Sequence, residues 1–278
     1  MRRPGGRGFQ AVAFIGLGVL SLAFLLPLLW MVSTSLKPIE ETMKMPPTFI
    51  PTSLRWGNYL AAVRGIDFFR YSWNTIWVCA LSTAGTVLSS AMVAYGFAFL
   101  AWPGRNLMFS LTLATMMVPF PVLMVPLYSV FRELGLIGSL KPLWIPAWFG
   151  SAWNIFLIRQ FFMGIPKDLL DAARIDGCTE WQIFWRVVLP LARPVLIVVG
   201  LFSAIYAWND FLAPMLYLTK QEHYTLSLGL QFFQSQTGGT QWHLLMAAST
   251  LVILPVLVMF LLGQRALIRG ITMTGMKM

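Results

Sequence analysis

The sequence predicts an all-α integral membrane protein with six transmembrane helices. Three observations carry that expectation. The 278 residues are 58% hydrophobic and only 11% charged, whereas a soluble domain has roughly a quarter of its residues charged. The apolar residues gather into six runs of about the 20 residues that a bilayer-spanning helix requires. Short segments carrying Lys and Arg separate the runs.

The first run is Ala11 to Val32, behind a tail with Arg2, Arg3 and Arg7. It is too long for the apolar part of a signal peptide, and no small-residue cleavage site follows it. The second lies inside the uncharged stretch Tyr71 to Gly104, as Trp73 to Leu100. The third is Leu107 to Val130 and the fourth Pro142 to Phe162, which encloses the uncharged Trp144 to Ile158. The fifth is Val187 to Leu212 and the sixth Leu244 to Gln264. The chain then divides into three parts. Residues 1–70 hold a cytoplasmic N-terminus, the first span and an extracytoplasmic loop. Residues 71–265 form a core of five helices with a hairpin at 166–186, and 266–278 form a cytoplasmic tail.

Orientation follows from the basic residues between spans. Placing the N-terminus in the cytoplasm puts 12 of the 20 Lys and Arg inside: Arg2, Arg3, Arg7, Arg105, Arg159, Lys167, Arg174, Arg186, Arg193, Arg265, Arg269 and Lys277. Of the eight outside, Lys37, Lys44, Arg55, Arg64 and Arg70 share one long loop, where charge directs topology weakly. Both termini are therefore expected in the cytoplasm, with the chain multi-pass in a cell membrane. The net charge of +10 is spread over short segments and forms no single stripe, so it suits anionic lipid and not nucleic acid. Cys79 lies inside a span and Cys178 in a polar segment, so the two cysteines read as small apolar fillers and not as a disulfide.

The segment between spans four and five carries the densest chemistry. Pro166-Lys167-Asp168 suits a helix start, with proline in the first positions and an acid near the positive end of the helix dipole. Leu169, Leu170, Ala172, Ala173 and Ile175 are expected to form an apolar face, with Lys167, Asp171 and Arg174 pointing elsewhere. Gly177 permits the positive φ that ends such a helix. Thr179 with Gln182 has the spacing of a capping box, which opens a second helix running through Trp181 and Trp185 to Pro190. Two uses fit this hairpin: docking of another protein, or an amphipathic helix resting on lipid. The small pair Ala172-Ala173 suits close approach of a protein surface.

Asp171-Ala172-Ala173, then Asp176-Gly177, then Leu189-Pro190 resembles the EAA loop of ABC importer permeases, the membrane subunits of binding-protein-dependent uptake systems. Position 171 is Asp where the family usually has Glu, one methylene longer, and position 178 is Cys where Ala is usual. Ser35-Leu-Lys-Pro38, Asn58-Tyr59, Asn74-Thr75, Trp208-Asn209-Asp210 and Gln264-Arg265 with Gly270 and Gly275 resemble the carbohydrate-uptake branch. That branch includes the maltose and glycerol-3-phosphate permeases, and the likeness is to the smaller six-span partner of a permease pair. The resemblance implies a type I ABC importer permease fold and a hairpin seated in a cleft of the ATPase subunit. Asp171, Ala172, Ala173, Asp176, Gly177, Leu189 and Pro190 would be its coupling positions, with Asp171 facing a basic ATPase group. It also implies a second homologous permease subunit, two ATP-binding subunits and an extracytoplasmic substrate-binding protein as partners.

Several residues within the spans invite a place on a translocation path. Pro119 and Pro121 in the third span free backbone carbonyls, which marks either a path-lining break or a plain kink. Asp210 is the single carboxylate inside an expected span, beside Asn209. It reads either as a path residue or as an interfacial group at a helix end. Ser82, Thr86, Ser90, Ala94 and Ala98 form a ridge spaced by four, suited to helix packing. Trp144, Trp148 and Trp153 could stack on sugars or anchor the membrane interface.

No lysine follows a glycine, which excludes a Walker A phosphate loop. His223 and His243 lack metal-ligand spacing, and no nucleophile–base grouping points to an enzyme, so no cofactor or metal is expected. Two other classes remain: a secondary transporter or channel, which would need intramembrane charges the chain scarcely has, and a non-transporting scaffold subunit.

Overall fold

In the computed structural model, residues 7–234 and 239–274 are described, without the side chains of residues 7–8 and 268–274. Arg2, Arg3, Gly275 and Lys277 lie outside the described residues, as do the side chains of Arg7 and Arg269. All regular structure among the described residues is helical. The chain divides into two units. One is built from residues up to Phe68 together with Leu230–Leu254, the other from Phe69–Gly229 and the residues from Pro255 onward.

In the first unit, α1 (Arg7–Ser35) carries no charged residue from Phe9 onward and exposes apolar side chains on every side, among them Phe14 and Phe24. A helix apolar all round belongs in lipid or inside a larger assembly. Past its end, the Ser35-Leu-Lys-Pro38 segment leads into α2 (Ile39–Thr42) and then α3 (Gly57–Gly65). This stretch is tied by polar groups. Lys37 is buried, donates from Nζ to Thr48 O at 2.5 Å and lies over the Trp30 ring. Glu41, also buried, accepts from the Thr48 hydroxyl at 2.7 Å and from the Thr52 hydroxyl at 2.8 Å and backbone N–H. Asn58 Nδ2 donates to the carbonyls of Ser35 and Lys37, and the Ser35 and Tyr59 hydroxyls are 2.7 Å apart. Buried polar groups persist only when paired in this way, which accounts for the Ser-Leu-Lys-Pro and Asn-Tyr pairs in the sequence.

The second unit opens with α4 (Phe68–Ala98), whose small and hydroxyl residues are largely buried. Asn74 donates to the carbonyls of Glu222 and Tyr224, both at 2.9 Å, and Thr75 Oγ1 accepts from Leu226 N–H.

The third expected span is not one helix. It consists of α5 (Arg105–Ala114) with a short 3-10 turn, then α6 (Phe120–Glu133), meeting at 100°. Val118 is extended because it precedes Pro119, whose ring disfavours helical backbone there.

The fourth also departs from a continuous helix. α7 (Lys141–Trp144) and a 3-10 turn end at Gly150, with φ +90°, before α8 (Ala152–Phe162). At 11 residues, α8 reaches only about 16 Å. The irregular stretch is stitched to α4: Ser82 Oγ donates to Leu143 O, Ser89 Oγ donates to Ala147 O, and Ser90 Oγ accepts from Ser151 N–H. Side-chain partners of this kind make irregular backbone tolerable away from water.

Next come α9 (Lys167–Ile175) and α10 (Glu180–Ile183), followed by a π-turn over Phe184–Val188, α11 (Leu189–Leu191) and α12 (Arg193–Asn209). The fifth expected span bends by 79° at Ala192. Pro194, two residues on, has no N–H to continue the ladder back to Pro190. Short α13 (Leu212–Tyr217) and α14 (Leu226–Gly229) precede α15 (Trp242–Thr274).

Among the described residues, three helices are long and apolar enough to cross a membrane, and up to five if each bent pair counts as one span. The core of the second unit runs from Ala91, Ala94 and Tyr95 of α4 through Ile158 and Phe162 of α8 to Leu170, Ile183, Phe184, Val188 and Val199.

Candidate functional site

The hairpin of α9 and α10 is built by local capping and then fastened to the core. Gly177 adopts φ +81°. Its N–H donates to Arg174 O and that of Cys178 to Ala173 O, both at 3.0 Å, the two bonds of a Schellman motif. Thr179 and Gln182 form a complete capping box: the Gln182 N–H donates to Thr179 Oγ1, and the Thr179 N–H to Gln182 Oε1. Both features match the sequence expectation.

The expected apolar face does not form as one surface. Leu170 is buried and Ala173 half-buried against the core, while Leu169, Ala172 and Ile175 are exposed, Ile175 by 86%. At 3.6 residues per turn, positions 170 and 173 share one side and 169 and 172 another, so the five residues serve two surfaces. The outer surface combines Leu169, Ala172 and Ile175 with the exposed Asp171 and Asp176. Of the other positions expected to couple, Gly177 and Pro190 are exposed, whereas Leu189 packs against the core.

One hub escaped the sequence. Glu180 Oε1 accepts from Arg174 Nε at 2.8 Å and Oε2 from the Tyr95 hydroxyl at 2.5 Å. The same Arg174 donates through Nη1 to Asp171 Oδ1 at 2.6 Å. Glu180 thus joins α9, α10 and α4, and Tyr95 also meets the Phe184 ring edge-on at 5.3 Å. Arg174 being only three residues from Asp171 was the available signal; Tyr95, 85 residues from Glu180 in the chain, gave none. The Asp171 carboxylate is already engaged within the chain, a finding its charge alone did not disclose.

A second feature of this unit is a cavity of about 650 Å³. Val78, Ser82 and Thr86 of α4 line one side and Phe202, Ser203 and Tyr206 of α12 another. Phe120 and Phe131 of α6, the irregular stretch from Pro142 to Ser151, Trp153 and Asn154, and Tyr217 complete it. Asp210 also lines this cavity, and its Oδ1 accepts from Ala213 N–H at 3.2 Å at the start of α13. Asp210 thus lies just past the end of α12, bonds the first turn of α13 and lines the cavity.

Asn209 does not line the cavity; its amide donates back to Ile205 O within α12. Pro119 and Pro121 are exposed at the bend, and Phe120 between them reaches the cavity instead. The α4 ridge divides its work, with Ser82 and Thr86 on the cavity and Ala94 in the core. Trp153 lines the cavity, and Trp148 packs on Gly85. Tyr206 and Ser203 were missed because nothing in an apolar span distinguishes a cavity-lining side chain from a packed one, and Tyr217 lies beyond the expected fifth span.

Comparison with known proteins places this architecture. Residues 85–273 match the family model described as binding-protein-dependent transport system inner membrane component. The arabinooligosaccharides transport system permease protein AraQ of Halalkalibacterium halodurans is 33% identical over 274 residues, covering 97% of this chain and 94% of that protein. The sn-glycerol-3-phosphate transport system permease protein UgpE of Pectobacterium atrosepticum is 34% identical over 272 residues, covering 95% and 96%. In the crystal structure of a bacterial ABC transporter involved in the import of the acidic polysaccharide alginate, one chain superposes with a TM-score of 0.82. It is 24% identical, with 95% of this chain and 98% of that one covered. Bent spans, capped hairpin and cavity thus occur in a chain that belongs to the family of binding-protein-dependent transport system inner membrane components.

Proposed function

We propose that the chain is one membrane half of an ATP-driven importer that carries a carbohydrate. A second homologous permease subunit completes the pathway, two ATP-binding subunits power it, and an extracytoplasmic binding protein delivers cargo. The observation that carries this reading is the hairpin. Its outer surface, with Asp171, Ala172 and Asp176, is exposed, while its inner side is held by Leu170, Ala173 and Glu180 to α4 and to the turn that leads into α12. A push on such an element reaches the helices around the cavity instead of dissipating in a loop. Carbohydrate cargo rests on the family membership and on the relatives named for sugar transport.

In this reading the two bent pairs each cross once, the stretch from Lys141 to Phe162 supplies a further crossing, and six spans place both termini and the hairpin in the cytoplasm. Catalysis belongs to the ATP-binding partner.

The test is Gly177→Pro. Proline fixes φ near −65° and has no N–H, so it removes both the +81° turn and the bond to Arg174. Uptake is expected to vanish with membrane insertion intact; normal uptake would sink the coupling assignment. Copurification separates the rival classes, since a tagged chain should retain a Walker-containing ATPase in stoichiometric amount. A channel, secondary transporter or scaffold would not.

A further inference from the structure

Two arginines sit where α4, α5 and α8 meet, neither lining the cavity nor bonded to the hairpin. Arg159 of α8 donates from Nε to Phe97 O at 3.3 Å, and its guanidinium lies over the Phe109 ring of α5, 4.1 Å from the centroid. Arg105, the first residue of α5, donates from Nη1 to Leu100 O at 2.9 Å, just past the end of α4. Both side chains are half-buried, and the two charges are near enough to repel each other. Neither has an ion pair among the described residues, and α4, α5 and α8 contain no Asp or Glu. The acids of the hairpin reach α4 on a different face: Glu180 bonds Tyr95, whereas Phe97, two residues on, turns toward Phe109. A bond to a carbonyl orients a guanidinium without neutralising it and leaves most of its N–H donors unspent. What the pair lacks is an anion.

The surroundings say which kind. A hollow of about 260 Å³ opens beside Arg105, lined also by Trp102, Gly104, Asn106 and Leu107. Trp102 is pinned by its Nε1–H to Gly96 O and by its ring against Phe97; such an amphipathic ring settles at headgroup depth in a bilayer. Leu107 begins a strip with Met108 and Leu111, which share one side of α5 and are all exposed. A cationic pair whose hollow runs into an apolar strip matches an amphiphile with a charged head. A soluble phosphate would leave the strip unused. We infer that Arg105 and Arg159 form a binding site for the headgroup phosphate of an anionic phospholipid in the cytoplasmic leaflet, with the strip from Leu107 to Leu111 along its acyl chains. The site rests on the topology of the importer reading, which turns this end of α4 and α8 to the leaflet where anionic lipids gather. A phosphate shared by the two guanidiniums takes charge-assisted bonds from both and replaces a repulsion with two attractions. It ties together the ends of three helices, two of which, α4 and α8, run on to the cavity. Bound lipid therefore stabilises the assembled protein.

The test uses the complete complex with its partner permease and ATPases, purified in detergent and stripped of lipid. Phosphatidylglycerol, phosphatidylcholine and inorganic phosphate are titrated in turn. Native mass spectrometry counts bound lipid, and the melting temperature reports stability. The wild type is expected to bind phosphatidylglycerol about tenfold more tightly than phosphatidylcholine, the scale of one charge-assisted bond, and to melt higher with it. Inorganic phosphate at the same concentration should leave the melting temperature unchanged. Arg105→Gln with Arg159→Gln should abolish the preference; at position 159 the new amide stands where Nε stood, so the bond to Phe97 O is kept. Each single substitution should lower the preference severalfold, which keeps the test readable if the pair fails to assemble. Arg186→Gln with Arg193→Gln removes two exposed charges elsewhere and should keep the preference. Equal binding of the two lipids by the wild type, indifference to the Arg105 and Arg159 variants, or equal loss in the control pair would overturn the site. Equal stabilisation by inorganic phosphate would overturn its assignment to lipid. Loss of copurifying ATPase in the Arg105 and Arg159 variants, with lipid preference intact, would give the two charges to an acidic protein surface instead. Absence of the ATPase from the wild-type complex would overturn the importer reading alone, because lipid binding is read without it.

Discussion

At the scale of single residues, the sharpest finding is that Asp171 is not a free acid. Arg174 holds it at 2.6 Å while also holding Glu180 at 2.8 Å. Exposed pairs of this kind contribute about 0–1 kcal/mol each, so the fold does not depend on the Asp171 contact, and a basic group on a docking partner can compete for the carboxylate. Arg174→Ala should therefore reduce transport through misplacement of Glu180 while lowering hairpin stability by only about 1 kcal/mol, measurable by hydrogen exchange across 167–183. A second residue-scale expectation concerns Glu41. Hydrogen bonds from the Thr48 hydroxyl and from Thr52, with Lys37 nearby, hold its carboxyl below the usual carboxylate range. A depressed folded pKa contributes stability that is present above the unfolded value of about 4.3 and is lost as pH falls through the lower, folded value. Protection of the 36–59 segment should thus decay on acidification below about pH 4, and Glu41→Gln should flatten that dependence. Legibility at this scale follows distance along the chain. Gly177 and the Thr179–Gln182 box were readable because each acts within a few residues. The Tyr95–Glu180 bond was not, since its partners meet only after α4, α8 and α10 have packed.

At the scale of elements, the six apolar runs located helical segments but not whether each is continuous. The first, second and sixth became single helices, α1, α4 and α15. The third and fifth bend by 100° and 79°. Proline signalled the third bend, but whether Pro119 would kink or break the helix depended on what could absorb the turn. In the fourth run the deciding partner is α4: its Ser82 and Ser89 hydroxyls satisfy the carbonyls of Leu143 and Ala147, and Gly85 leaves room for the Trp148 indole. A spacing of four advertised close packing without saying that an irregular backbone would be the thing packed. Gly85 provides the test. A Cβ there would stand 2.6 Å from Trp148 Cδ1, and the ring must shift to admit it. Gly85→Ala should lower the stability of the detergent-purified protein by about 1–3 kcal/mol, the usual cost of overpacking. Gly96→Ala on the same helix, with open space around its Cβ, should not. Equal melting temperatures for the two variants would show that the stitched segment tolerates displacement.

At the scale of the second unit as a whole, the same helices serve the hairpin and the cavity. α4 gives Ala94 and Tyr95 to the core beneath the hairpin and Ser82 and Thr86 to the cavity wall. α12 gives Val195 and Val199 to that core and Ser203 and Tyr206 to the wall. α8 divides likewise, with Phe162 at one end and Asn154 at the other. Close-packed interiors transmit displacement because they have few alternative arrangements, so the core between the two sites sets how firmly one follows the other. Leu170 lies at the near end of this core and is buried to 1% exposure. Leu170→Ala would leave a void costing about 2–5 kcal/mol, without altering Asp171, Ala172 or Asp176 on the proposed docking surface. The expected phenotype is uncoupling: the ATPase still copurifies and hydrolyses ATP in proteoliposomes, while cargo uptake falls much further than hydrolysis. Ala172→Arg, on the outer surface, should do the reverse by blocking docking, so that copurification itself is lost. Parallel loss of hydrolysis and uptake in Leu170→Ala, with docking intact, would mean that the hairpin core supports ATPase assembly and not transmission to the cavity.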